Sequence, residues 1–246
     1  MNPVIETLIN HRSDRSYLDK AIPDAVLDNI ILSAYRAPTS VHSQQVSVIV
    51  TRDKATKAKI AELAGGQPWI AQAPVFITFV LDMHKTREAM ALIDQQQIAH
   101  ESIESIVSGS TDVGIALASA MAAAHAQGLG VVPIGGMRRS PAAFIELFEL
   151  PPLTFPLVGL ALGYVDQPAD MKPRLPISTF RHEEKYQQAG LQESIAAFNV
   201  ELEQHWKTIN RDGGEDWSHT VGNYYKNIYF PDVLPALLKQ GFGKDK

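Results

Sequence analysis

Residues 74–82, PVFITFVLD, carry β-branched, aromatic or other apolar side chains at almost every position. A run of that length without polar alternation reads as a buried strand, and a buried strand needs a layer of other structure to cover it. VSVIVT at 46–51 and FPLVGLALGYV at 155–165 have the same character. Helical spacing supplies the cover. From Asp24 to Tyr35, the side chains Val26, Leu27, Ile30, Ile31 and Ala34 fall on one face, and KATKAKIAELAGG reads as a helix ending at Gly65. A polar helical stretch begins near 86, and a long helix then runs to Gln127, where Gly128 and Gly130 stop it. VVPIGG leads into a helix over 141–148, and further helices are expected near 190–208 and 232–239. Helices outnumber strands, with no linker or repeat between them. The expectation is a single α+β domain over 1–246, a sandwich of helices on a mixed central sheet.

Charge and composition remove several function classes. A net charge of −5 argues against a nucleic-acid or anionic-membrane surface, which would need a broad basic patch. The most apolar segment, Val113 to Ala124, is too short to span a bilayer and reads as a buried central helix. The N-terminus carries Glu6 and no continuous apolar stretch, so no signal peptide is expected. The chain has no cysteine, which excludes disulfides, thiol nucleophiles and thiolate metal sites and makes the cytoplasm the expected compartment. No GxSxG, GxxxxGK[ST] or HExxH pattern occurs, the eight histidines lack metal-ligand spacing, and no metal is expected. GLGVVPIGG has glycines near dinucleotide-fingerprint spacing, but a long helix precedes it where the fingerprint needs a strand.

Against this acidic background NHRSDRSY, at 10–17, gathers His11, Arg12, Ser13 and Arg15. Asn2 and Pro3 read as the cap and first turn of a helix bearing Val4, Ile5, Leu8 and Ile9, and His11 and Arg12 would end it, where positive charge suits the dipole. Ser13 and Arg15 lie beyond that last turn and call for another explanation. Four more polar loops join them: PTSVHSQQ, GGQPW at 65–69, PIGGMRR at 133–139 and KPR at 172–174. Each has a plain alternative, since Gln67 would cap the next helix, MRR would be a surface run and KPR a solvated turn. Together they supply cations, hydrogen-bonding side chains and glycine backbone that a flat ligand can approach.

HRSDR, GGQ, GLG..PIGGMR and MKPRLP in this order, followed by HEEKY and DW, resemble the FMN-dependent nitroreductase family, most closely its oxygen-insensitive, NADPH-preferring nitroreductase and flavin reductase branch. The resemblance implies a nitroreductase-like sandwich in an intertwined homodimer, with residues from about 190 to 246 wrapping the partner subunit. It implies that His11, Arg12, Ser13, Lys172 and Arg174 hold the phosphate and ribityl end of FMN and that Arg15 and Gln67 face the pyrimidine edge. Thr39 and Ser40 would come from the partner subunit. Ile134, Gly135 and Gly136 would lie along the flavin, with the Gly135 amide near N5 as the catalytic contact. NADPH or NADH would be the donor, with Arg138, Lys207 and Arg211 available for a 2′-phosphate. His42, Tyr225, Lys226 and Phe230 would wall the pocket of a small aromatic acceptor. The second loop departs from the family pattern, with His42 and Gln45 where Asn and then Pro are usual. The expected activity is two-electron, ping-pong reduction of nitroaromatics, quinones or free flavin by NAD(P)H. The alternatives are a dedicated flavin reductase and a flavin-binding protein without turnover.

Overall fold

A computed structural model describes residues 2–243, in two units. One unit comprises the chain up to Ala169 together with the segment from Phe230 onward; the other is Asp170–Tyr229. The first contains α1 (Pro3–Ile9), α2 (Asp24–Tyr35), β1 (Val46–Thr51), α3 (Lys54–Leu63), α4 (Pro68–Gln72), β2 (Val75–Asp82), α5 (His84–Ala91), α6 (Ile103–Ala126), β3 (Gly130–Ile134), α7 (Pro141–Leu147) and β4 (Thr154–Gly163). The second contains α8 (Leu191–Thr208) and α9 (Trp217–Tyr225), and α10 (Val233–Lys239) returns to the first.

All eight residues of β2 are buried, as its composition requires, because β2 lies inside the sheet order β1-β2-β4-β3. Side-chain alternation splits the core into two layers. Val75, Ile77 and Phe79 meet Ile30 of α2 and Val113, Ala116 and Ala120 of α6. Phe76 turns to the other side, with Ile60 of α3, Ile70 of α4 and Phe144 of α7. The α+β sandwich is therefore as expected, although the named strands pair only antiparallel and, among the described residues, parallel pairing is confined to the isolated bridge Ser13↔Val131. The chain re-enters the sheet at the end it left, through α3 and α4 between β1 and β2 and through α7 between β3 and β4, so these neighbours run antiparallel.

Two expectations about helices are corrected. The segment around Val113–Ala124 belongs to α6, a 24-residue helix that starts after its cap Ser102, well upstream of Val113, so by length and composition it could cross a membrane. It is buried along one face only: Val113, Ala116, Ala120 and Ala124 enter the core, while Ile103, Val107 and Ile115 stay exposed. Asn2 does cap α1, accepting from the Val4 amide at 2.9 Å. That helix ends at Ile9 with Asn10 as its closing residue, so His11 and Arg12 lie beyond it and do not serve its dipole. Val4, Ile5, Leu8 and Ile9 of α1 are all exposed.

The second unit has its own small core, in which Phe198, Leu202 and Trp206 recur every four residues along α8 and pack with Leu175, Ile209 and Trp217. Asp216 starts α9 by accepting from the His219 amide at 2.8 Å.

Candidate functional site

The chain after α1 is tied to the sheet edge residue by residue. Ser13 bridges Val131 of β3, the Asp14 amide donates to the Val131 carbonyl at 3.1 Å, and Tyr17 bridges Val165. Asp14 is buried, and its carboxylate accepts from the Ala169 amide at 3.1 Å. Burial, and then the charge of Asp14, push the Tyr17 phenol well above its ordinary pKa, so it stays protonated and donates to the Asp14 carbonyl at 2.6 Å. This anchoring fixes the neighbours that face outward. Arg12 donates to the Ala169 carbonyl at 3.2 Å. Arg15 donates to the Ser13 carbonyl at 3.1 Å and lays its guanidinium 5.4 Å from the centre of the Trp69 ring.

Trp69 brings the GGQPW loop into the same neighbourhood. Gln67 does not cap the helix that follows it; its side-chain amide reaches back to the Ala64 carbonyl at the end of α3, 2.8 Å away. That places Gln67 behind the turn after β3. A Cβ on Gly136 would lie 2.5 Å from the Ala64 oxygen and 2.6 Å from Gln67 Nε2, whereas one on Gly135 would meet only the far end of Arg138, at 3.2 Å. Only glycine lets this turn approach so closely. Buried Ile134 enters the turn from β3. The structure thus brings together Arg15, Gln67 and Ile134–Gly136, beside the segment carrying His11 and Ser13. A bare glycine strip bordered by an amide and a guanidinium suits a planar heteroaromatic with hydrogen-bonding edges, and the adjoining cations suit an anionic tail. FMN has both parts.

The loop with Thr39, Ser40 and His42 is built under strain. Val41, His42 and Gln44 have φ of 46°, 57° and 52°, in the left-handed region that β-branched residues avoid, and Val41 is 94 % exposed. Asp112 holds this conformation from below. Its buried carboxylate accepts from the Ser40 amide at 3.1 Å and from Gln45 Nε2 at 2.9 Å, while Thr39 Oγ1 accepts from the Gln44 amide at 3.0 Å. His42 lines a cavity of about 380 Å³ with Tyr35, Val46, Val48 and Lys85.

Arg138 donates to the Leu157 carbonyl at 2.8 Å and sits 5.6 Å from the ring centre of Phe230. Lys172, Arg174, Lys207, Arg211, Tyr225 and Lys226 belong to the second unit. There Lys172 Nζ and the Arg211 guanidinium lie 5.7 and 4.4 Å from the Trp206 ring centre. Lys207 and Arg211 line a groove with Trp206, Gly213 and Gly214. Arg174 is exposed, Tyr225 lies beside Tyr229, and Lys226 donates to Asn223 at the end of α9.

Three supporting residues were missed in the sequence: Trp69 beneath Arg15, Asp112 beneath Ser40, and His125. His125 Nε2 is 3.1 Å from His11 Nδ1, with the rings edge-on at 5.3 Å. Asp112 left the clearest signal, a carboxylate at the very edge of the apolar segment Val113–Ala124.

Comparison with known proteins bears on the same segments. Residues 8–164 match the nitroreductase family model, and residues 172–245 match the model for the C-terminal domain of that family. The chain is 43% identical to an FMN reductase, NAD(P)H, of Bacillus subtilis, with 100% of both chains covered. It is 32% identical to the oxygen-insensitive NADPH nitroreductase of Salmonella typhimurium, covering 98% of this chain and 99% of that one. The structure of B. megaterium NfrA2 superposes with a TM-score of 0.97 at 43% identity, with 100% of each chain covered.

Proposed function

The chain belongs to the nitroreductase family, and from that premise we propose that it is a ping-pong NAD(P)H oxidoreductase that reduces nitroaromatics, quinones or free flavin by two electrons. It is an FMN-dependent oxidoreductase with NADPH or NADH as donor. The observation that carries the proposal is the clustering of Arg15, Gln67 and the Gly135–Gly136 turn around one bare backbone strip. FMN, when bound, supplies the hydride acceptance and two-electron transfer, for which the protein itself needs no nucleophile. Arg15 and Gln67 would hold the hydrogen-bonding edge of the ring and stabilise the charge it gains on reduction, and the Gly135 amide would orient its reacting edge. His11, Arg12, Ser13, Lys172 and Arg174 hold the phosphate and ribityl end. Arg138, Lys207 and Arg211 serve the nicotinamide donor, with the Lys207–Arg211 groove taking a 2′-phosphate.

The same reading has the enzyme act as a cytoplasmic homodimer. The exposed apolar side chains of α1 and of the outer face of α6 favour burial against a second copy, and the part of the expected wrapping segment from about 190 to Tyr229 covers that partner, while Ala236, Leu237 and Phe242 pack in this chain's own core. Thr39 and Ser40 then reach the partner subunit's FMN. The name of the Bacillus subtilis relative favours a second reading, a dedicated flavin reductase.

Half-reactions test the function. Anaerobic NADPH or NADH should bleach the bound flavin, and a quinone or nitroaromatic should restore its colour; failure of either step refutes ping-pong oxidoreduction. His42 lines its cavity with aromatic and apolar neighbours that would stack a planar acceptor. His42→Ala should therefore slow reoxidation by that acceptor while leaving bleaching nearly unchanged. Equal losses in both steps, or none, would make His42 structural.

Arg174 tests the cofactor end. Removing a charge-assisted phosphate contact costs roughly 1.5–3 kcal/mol, so Arg174→Ala should weaken FMN retention about ten- to a hundredfold. Unchanged affinity in a fluorescence titration would sink that assignment.

A further inference from the structure

His125 lies in the last turn of α6, outside every segment given a cofactor role above, yet its Nε2 sits 3.1 Å from Nδ1 of His11. Two imidazole nitrogens that face each other share one proton, so one ring donates and the other accepts. The surroundings decide which. Burial holds the His125 pKa below its ordinary value, against the opposing pull of Asp14 and of a hydrogen bond with the Leu129 backbone. The 3.1 Å contact is satisfied when neutral His125 keeps its proton on Nδ1 and presents the Nε2 lone pair to His11, whose Nδ1 then donates. Asp14 is itself set against the chain that follows α6, since a Cβ on Gly130 would lie 2.6 Å from its Oδ2.

We propose that His125 is a positioning residue for His11: by accepting the His11 Nδ1 proton it fixes the tautomer and orientation of that ring, so that Nε2 is the atom turned to the phosphate of FMN. The proposal rests on the reading that His11 binds that phosphate. When the phosphate arrives, a proton taken up at Nε2 makes His11 an imidazolium, with one N–H held by His125 and the other donated to a phosphate oxygen. The charge is carried by His11 because His125 is the ring whose burial disfavours it. The arrangement parallels the outer partners of metal-bound histidines, which fix one ring nitrogen so that the other is aimed.

The test uses the full-length protein, stripped of flavin and titrated with FMN by fluorescence quenching. His125→Ala should weaken FMN binding about tenfold, the size of one hydrogen bond. His125→Gln, whose amide oxygen can stand where Nε2 was, should restore affinity to within about threefold. Long-range 1H–15N spectra of the flavin-free wild type should show His11 protonated at Nδ1, and that signature should be lost in His125→Ala. His11→Ala separates the two ideas. If it leaves FMN affinity unchanged, the phosphate reading fails. If it weakens binding while His125→Ala does not, or if Gln gives no rescue, His125 has no positioning role. A wild-type His11 protonated at Nε2 alone would overturn the proposal without any variant.

Discussion

The Gly136→Ala protein is expected to purify without colour. Its new methyl group would sit 2.5 Å from the Ala64 carbonyl and 2.6 Å from Gln67 Nε2, and backbone cannot withdraw as a flexible side chain can. The turn after β3 must then lift away from Ala64 and Gln67, carrying Ile134 and Gly135 with it and parting the glycine strip from the Gln67 side chain. Two borders of the proposed flavin site move at once. FMN affinity should fall about a hundredfold or more, near 3 kcal/mol, measured as flavin absorbance per protein after gel filtration. Gly135→Ala is the control, because its methyl meets only the end of Arg138 and should leave the fold and part of the binding intact. A fully loaded Gly136→Ala protein would show that the glycine strip is not where the cofactor lies.

Asp112→Ala carries the largest expected loss of stability. The change leaves the buried Gln45 side chain and the part-buried Ser40 amide without the carboxylate that accepts from both, and a bond to a charged group is worth about 1.5–3 kcal/mol. A net loss of about 3 kcal/mol should lower Tm by about 6–12 °C for a chain of this size. The positive-φ backbone at Val41, His42 and Gln44 loses its clamp as well, so the Thr39–Gln45 loop should become sensitive to proteolysis before the rest of the chain. Asp112→Asn keeps one accepting oxygen and should lose less. Unchanged Tm in Asp112→Ala would mean that the loop holds its strained form without help.

The fold was legible where burial sets the pattern. The strands at 46–51 and 75–82 were read almost to the residue, and Asn2 and Pro3 mark the start of α1 plainly; β2 is covered on both faces and apolar throughout, whereas β1, expected to be buried, is an edge strand in which only Thr51 is buried. Pairing direction was not legible, since periodicity does not say which strands become neighbours or at which end of the sheet the chain re-enters. The outward face of α6 was misread for a related reason. An apolar residue looks the same in sequence whether it meets its own core or stands exposed, as Ile103 and Val107 do. The cations and glycines of the site were visible because their types are unusual for their places. Their supports were less so: Trp69 is coupled to Arg15 across 54 positions and His125 to His11 across 114, and no local spacing encodes such contacts.

Burial of β2 on both faces, between β1 and β4, also sorts the molecule by how long its amide hydrogens persist. The β2 amides are hydrogen-bonded within the sheet and beyond the reach of solvent, so they exchange only when the whole unit opens. The strained Thr39–Gln45 loop, exposed at Val41, exchanges through small local openings of its own. These are separate clocks in one chain. A loop at the rim can rearrange for each incoming ligand many times over while the central strand keeps the hydrogens with which it folded.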